Sequence, residues 1–416
     1  MSVGLQPPGN LRPVAGIRIG AVDAGIRKSP GEDLAIFEIS GESTIAGVFT
    51  NNEARAAPVD VAIDHLLFMA ADQCGKIRAM VVNSGNANAG LGKTGVDDCL
   101  QVCRNVADEL EIPVESVIPF STGVIGERLP LEKFEQSVGR CVQTLNEDNW
   151  LAAAQAIMTT DTVAKGVTRV VDLGDAGQIV ITGIAKGSGM INPDMATMLA
   201  FIATDAQAPL DFLETELQTA VDKSFNRITV DGDTSTNDSC MLIATGASGV
   251  RISPDVSDQA IEQFRKALGD VAVELAQAIV RDGEGATKFV TVEVVGTASP
   301  EDAVAIAKTV ANSPLVKTAM HAADPNWGRI YAAIGRAPTE YLDLSDVQIC
   351  IGDVEVFVNG EASPQYSEDK ALEVMNNEEF TIFIDLGVSR DKSNSATVWT
   401  CDFSAEYVRI NAEYRT

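Results

Sequence analysis

The sequence predicts an α/β fold, on three observations. Strand-like apolar runs end in turns of small polar residues, helical patterns separate those runs, and the last quarter is denser in strands. Taken in order, the run 79–82 leads into Asn83-Ser84-Gly85, the run 117–120 into Ser121-Thr122-Gly123, and the run 178–184 into Lys186-Gly187. Each places polar groups at a strand end, where binding residues concentrate. Helical patterns cover 97–110, 131–145, 210–225, 258–280 and 300–312. Strands follow at 347–358, 380–385 and 397–403, with the turn pair Asn359-Gly360 between them. There is no long repeat and no low-complexity tract.

Composition bounds the function. The chain has 416 residues, enough for one large domain or two, with 45% hydrophobic and only 5% aromatic residues. Fifty-nine acidic against 31 basic residues give a net charge of -28, and no basic stripe is present for phosphate, so nucleic acid is excluded as a partner. Seven cysteines, an odd number, include no Cys-x-x-Cys pair, and Cys99 and Cys103 at helical spacing read as thiols on one helix face. That usage predicts a reducing compartment. No run of 18 apolar residues occurs and the N-terminus lacks a leader pattern, so a soluble cytoplasmic protein without membrane association is expected.

The most chemically informative stretch is Lys186-Gly187-Ser188-Gly189-Met190-Ile191-Asn192-Pro193-Asp194-Met195-Ala196-Thr197-Met198-Leu199. A threonine hydroxyl is a poor nucleophile until a base removes its proton, and a threonine at a chain's N-terminus carries that base in its own α-amine. The amine has an ordinary pKa of about 7.7–8.0, so a useful fraction is neutral near pH 7.5. Cleavage between Ala196 and Thr197, by attack of the hydroxyl on the preceding carbonyl, would activate the oxygen and free the amine together. The glycines and Pro193 upstream break regular structure and permit the turn that such an attack needs. The plainer reading is that the apolar run 195–202 is a buried helix or strand segment.

Several long blocks resemble one family. They are Asn83-Ser84-Gly85-Asn86-Ala87-Asn88-Ala89, Ser121-Thr122-Gly123-Val124-Ile125-Gly126, the Lys186 stretch, Asp231-Gly232-Asp233-Thr234-Ser235-Thr236-Asn237-Asp238, Asp324-Pro325-Asn326-Trp327-Gly328-Arg329-Ile330 and the ending Ile410-Asn411-Ala412-Glu413-Tyr414-Arg415-Thr416. In content and order they resemble the glutamate N-acetyltransferases of arginine biosynthesis, also called ornithine acetyltransferases, over nearly the whole chain. The resemblance implies a four-layer α-β-β-α sandwich of the self-processing type with a smaller α/β domain. It implies chains 1–196 and 197–416 after cleavage, sharing one core and pairing as two alpha and two beta chains. It also implies an acetyl-Thr197 ester formed from N2-acetylornithine and discharged to glutamate. Acetyl-CoA is a further candidate donor, and no other cofactor is expected.

Site residues follow from both sources. Thr122 and Gly123, after a strand, offer a hydroxyl and an unhindered N–H, and the resemblance implies that they form the oxyanion hole; alone, they read as an ordinary turn. Lys186 can hold a substrate carboxylate or stabilise charge during cleavage, and its glycines come in the wrong order for a phosphate loop. Glu284, between Gly283 and Gly285, reads alone as a helix-ending turn, and the resemblance implies that it binds substrate, where its carboxylate suits the α-ammonium. Thr160 is read as a further substrate contact with Thr159 as the alternative register, while Asn411 and the terminal Thr416 match the family's substrate positions.

Asp231, Asp233 and Asp238 could hold Mg²⁺ or Ca²⁺, but a calcium loop starting at Asp231 lacks its glycine at position six and glutamate at twelve, so an Asx-turn network is preferred and no metal is assigned. His65 and His321 are too few for a His-rich zinc site. Two rivals stay open: a self-processing amidase or aminopeptidase, against which the threonine at the cleavage point counts, and a non-processing metal- or nucleotide-binding protein built on Asp231 and Asp233.

Overall fold

The computed structural model describes residues 2–72, 76–192, 198–254, 256–389 and 392–413. Its strands in chain order are β1 (Ile17–Val22), β2 (Leu34–Ile39), β3 (Thr44–Phe49), β4 (Ala79–Asn86), β5 (Val117–Val124), β6 (Lys165–Asp172), β7 (Gln178–Lys186), β8 (Leu199–Thr204), β9 (Ile228–Thr229), β10 (Ser239–Ala244), β11 (Phe289–Val295), β12 (Gln348–Ile351), β13 (Val354–Val358), β14 (Glu361–Ala362), β15 (Glu379–Asp385) and β16 (Ala396–Cys401). The α-helices are α1 (Ala57–Asp72), α2 (Gly92–Leu110), α3 (Leu131–Gln143), α4 (Trp150–Ala156), α5 (Leu210–Lys223), α6 (Asp258–Arg281), α7 (Pro300–Ala311), α8 (Pro314–His321), α9 (Trp327–Gly335), α10 (Glu368–Asn376) and α11 (Ala405–Ala412).

Two sheets form the centre, ordered β1-β2-β4-β5 and β3-β10-β8-β7-β6. Successive side chains of a strand point to opposite faces, so each strand serves two layers. In β2, Ala35, Phe37 and Ile39 face the second sheet, while Leu34 and Ile36 face α2 and α3. In β8, Leu199, Phe201 and Ala203 face the first sheet, while Ala200 and Ile202 pack under α5 and α6. Phe201 sits at the centre of the inter-sheet core, its ring 5.3 Å from that of Phe37 and 5.0 Å from that of Phe120. The order of layers is therefore helix, sheet, sheet, helix, the four-layer sandwich that the resemblance implied.

The unbroken apolar character of 199–203 now has a cause. A strand covered on both faces has no solvent-facing position and loses the alternation that marks an amphipathic strand. A separate seven-stranded sheet, β14-β13-β12-β15-β11-β16-β9, carries α7 to α10 over its own core and forms the smaller α/β unit.

Three expectations need correction. Asn83-Ser84-Gly85 and Ser121-Thr122-Gly123 are not turns after strands, because β4 and β5 run through them as a parallel pair that matches Asn83 with Ser121, Ser84 with Thr122 and Gly85 with Gly123. The ladder breaks only at Gly85 and Asn86, where Gly85 (φ +100°) and Gly123 (φ +136°) adopt backbone that other residues rarely take. The run 347–358 is an antiparallel pair rather than one strand, reversing at Gly352 (φ +58°).

Candidate active site

A cavity of about 260 Å³ opens where β5, β7 and the start of β10 converge. Thr122, Gly123, Thr160, Lys186, Glu284 and Asn411, contributed by five separate segments, all line it, as does Thr159. Ala196, Thr197 and Thr416 lie outside the described residues, but β8 begins at Leu199 and Met198 lines the same cavity, so the chain enters the site directly after position 197.

Thr122 and Lys186 meet across the cavity, Lys186 Nζ donating to Thr122 Oγ1 at 3.1 Å. The Gly123 backbone is pressed against β4 so closely that a Cβ there would lie 2.3 Å from the Gly85 carbonyl carbon. Asparagines from the 83–89 block hold this junction. Asn83 Oδ1 accepts from Ser121 Oγ at 2.7 Å, and Asn86 Nδ2 donates to the Glu127 and Arg128 carbonyls at 3.0 Å each. From the other half of the chain, Asn237 Nδ2 donates to the carbonyls of Ala87 at 2.6 Å and Ser121 at 2.9 Å.

The charged floor was not foreseen. Lys165, wholly buried, donates to Asp161 Oδ1 and Asp282 Oδ2 at 2.7 Å each. Asp161 also accepts from the N–H groups of Gly187 at 2.7 Å and Thr159 at 3.0 Å, while Asp282 accepts from Thr162 N at 2.9 Å. One ion triad thus ties down the loops that carry Thr160, Lys186 and Glu284. Burial would raise the Asp161 carboxyl, but the Lys165 and Lys186 charges and these hydrogen bonds hold it well below the usual carboxylate range. Burial also pushes the Lys186 ammonium below the ordinary lysine value, against the pull of Asp161, Asp238 and Glu284. The only hint in the sequence was the pairing of Asp161 with Lys165 at a spacing of four, which is common among unrelated residues.

Glu284 is buried on the opposite wall. Asn411 Nδ2 donates to its Oε2 at 2.7 Å, and its backbone N–H donates to the Ser188 carbonyl at 2.9 Å. Gly189 leaves room for this carboxylate, because a Cβ there would come within 2.4 Å of it and Glu284 would have to move.

The Asp231 turn has the expected form. Its Oδ1 accepts from Asp233 N at 3.2 Å in an Asx turn, and its two oxygens take the N–H groups of Met190 at 2.6 Å and Ile191 at 2.9 Å. Met190 is held with φ +55°, a left-handed conformation that costs a non-glycine residue about 1–2 kcal/mol. Met190 and Ile191 are thereby pinned by one carboxylate, Met190 in a strained form. Among the described residues no group of three His, Cys, Asp or Glu side chains could hold a metal ion. Asp238 is buried beside Met198, and burial pushes its carboxyl well above the ordinary value, opposed by hydrogen bonds from Ser235 and by the Lys186 charge.

The ArgJ family profile matches residues 18–416. The arginine biosynthesis bifunctional protein ArgJ of Pseudomonas fluorescens (strain Pf0-1) is 46% identical over 416 residues, the whole of both chains. The chain belongs to the ArgJ family. The ArgJ protein of Pseudomonas syringae pv. tomato (strain ATCC BAA-871 / DC3000) matches equally, at 46% over 416 residues and the full length of each. Among solved structures, ArgJ of Bacillus halodurans is 38% identical, covering 51% of this chain and 97% of its own with a TM-score of 0.48. The ornithine acetyltransferase of Mycobacterium tuberculosis, solved with ornithine, is 34% identical over 46% of this chain and 98% of its own, with a TM-score of 0.38. Among the described residues of this ArgJ-family chain, no helix is long and apolar enough to cross a membrane.

Proposed function

We propose that this chain, by family an acetyltransferase of arginine biosynthesis, severs its own Ala196–Thr197 bond and uses the freed threonine to carry acetyl from N2-acetylornithine to glutamate. The Thr197 hydroxyl attacks the acetyl carbonyl while the α-amine takes its proton. The oxyanion that forms accepts hydrogen bonds from Thr122 and the Gly123 N–H, each such donor being worth about 2.7–4 kcal/mol in comparable enzymes. Collapse breaks the amide bond, the proton passes to the departing ornithine amine, and acetyl remains as an ester on Thr197. Glutamate then enters the same cavity, and its amine takes the acetyl group by the reverse steps. Lys186 holds the substrate's α-carboxylate; Glu284, steadied by Asn411, faces the amino end; Thr160 and Thr416 complete the contacts.

The observation that carries this reading is convergence. Six residues from five distant segments line one cavity together with Met198, which leads directly into β8. Acetyl-CoA serves as a second acetyl donor at the same threonine, and no other cofactor is invoked. Chains 1–196 and 197–416 stay associated, two of each per assembly, in the cytoplasm.

Mass spectrometry of purified protein after brief incubation with N2-acetylornithine tests the reading. It should find fragments of 196 and 220 residues, the latter carrying one acetyl group on Thr197. Thr197→Ala should give one uncut, inactive chain, whereas Thr197→Ser should still cut. Normal fragments from the alanine variant would remove Thr197 as the cleaving group.

A further inference from the structure

A second cavity, of about 350 Å³, adjoins the first and shares Gly123, Val124, Thr159 and Thr160 with it as a common boundary. Its far wall carries charges of both signs, Arg27 and Lys28 against Glu127.

This wall is built rather than incidental. Asp33, fully buried, accepts from the backbone N–H groups of Ala24 at 2.7 Å and Arg27 at 2.9 Å, which fixes the loop that presents Arg27. Gly85 lets that loop lie against β4, since a Cβ there would come within 2.6–2.8 Å of the Arg27 Cβ, Cα and N atoms. The Arg27 guanidinium donates to the backbone carbonyls of Met158 at 3.1 Å and Pro30 at 3.4 Å, and its buried Nε has no partner among the described residues. With five N–H donors on the group, capacity remains for a carboxylate. Glu127 is exposed, and its position is set through its own carbonyl, which accepts from Asn86 Nδ2 at 3.0 Å.

The exchange proposed above makes a demand on such a place. Donor and acceptor present the same α-carboxylate and α-nitrogen, but their side chains end in opposite charges: an ammonium in acetylornithine, a carboxylate in glutamate. A single-sign subsite would hold one and repel the other.

We propose that the second cavity is the side-chain subsite, in which Glu127 takes the ornithine ammonium and Arg27 takes the glutamate carboxylate. Thr160, on the boundary of both cavities, then contacts the substrate where its side chain crosses from one to the other. The inference rests on the exchange reading.

Steady-state exchange kinetics of the full chain, with each substrate varied in turn, test it. Glu127→Gln should raise KM for acetylornithine roughly tenfold or more and leave that for glutamate within about twofold, and Arg27→Gln should do the converse. A structural role for either residue would shift both substrates together. Equal shifts, or none, in a folded variant overturn the subsite while leaving wild-type exchange intact; wild-type protein without exchange overturns the reading beneath it. Should Arg27→Gln lose its melting transition, Glu127→Gln decides by itself, because its side chain is exposed.

Discussion

Lys165 and Asp282, 117 residues apart in the chain, meet at 2.7 Å in a wholly buried ion pair, and Asp161 closes the triad from the other side. Breaking a buried pair by removing one partner leaves an uncompensated charge, which typically costs about 3–5 kcal/mol. Lys165→Met leaves two buried carboxylates facing each other. It is expected to lower unfolding free energy by about that amount in urea titration and to slow exchange by loosening three site loops at once. A variant of wild-type stability would show the triad to be dispensable.

The same triad sets an acid limit. Asp161 titrates below its unfolded value of about 3.9, so the native state binds fewer protons than the unfolded chain between the two values and stability rises with pH there. The contribution is complete above about pH 4 and is lost as pH falls through the folded value. Melting temperatures measured downward from pH 5 should fall more steeply for wild type than for Asp161→Asn.

Gly189→Ala places a methyl group within 2.4–2.5 Å of the Glu284 carboxylate. Glu284 must swing away and lose its bond from Asn411. Self-cleavage should persist while KM for both amino-acid substrates rises roughly tenfold, the loss expected for one charged hydrogen bond. An unchanged KM would mean that Glu284 lies outside the binding contacts.

Asp231→Asn retains one carbonyl oxygen where two carboxylate oxygens now hold Met190 and Ile191. Losing one of these bonds, worth about 1–2 kcal/mol, lets Met190 relax from its left-handed backbone. Pulse-labelled protein should then be cut about tenfold more slowly, with turnover unchanged once cutting is complete. Cleavage at the normal rate would separate the turn from maturation.

Burial places Lys186 below the ordinary lysine value of about 10.4. As pH rises the ammonium loses its proton early, and with it the charge proposed to hold the substrate carboxylate. A profile of kcat/KM against pH should therefore decline on its alkaline side before about pH 10. Lys186→Arg should push that decline upward, since arginine stays charged.

Much of this molecule was legible before its fold. Helices 131–145 and 258–280 were placed to within two residues of α3 and α6, because long amphipathic periods leave little choice. The strand ends at Gly85 and Gly123 were misread, since a small-residue cluster signals a turn locally, while only the neighbouring strand shows that a parallel ladder continues through it. The helix start at Gly92 was also missed, five residues before the expected 97, because Gly92-Lys93-Thr94-Gly95 offers no apolar period. At the site, Thr122, Gly123, Thr160, Lys186, Glu284 and Asn411 were named and line the cavity, whereas Lys165 and Asp282 beneath it were not named. Their meaning depends on a contact across 117 positions, and no local pattern records it.

The five-stranded sheet is shared between the two sides of position 196, with β10 and β8 set between β3 and β7. β3, β7 and β6 precede position 196, and β8 and β10 follow it. A break at 196 thus creates a new chain end without opening a seam, because every route to separating the pieces requires peeling β8 from β7 and β10 from β3. The proposed maturation would therefore act as a ratchet: the two pieces would stay joined along the β7–β8 and β3–β10 ladders after the bond between them had gone.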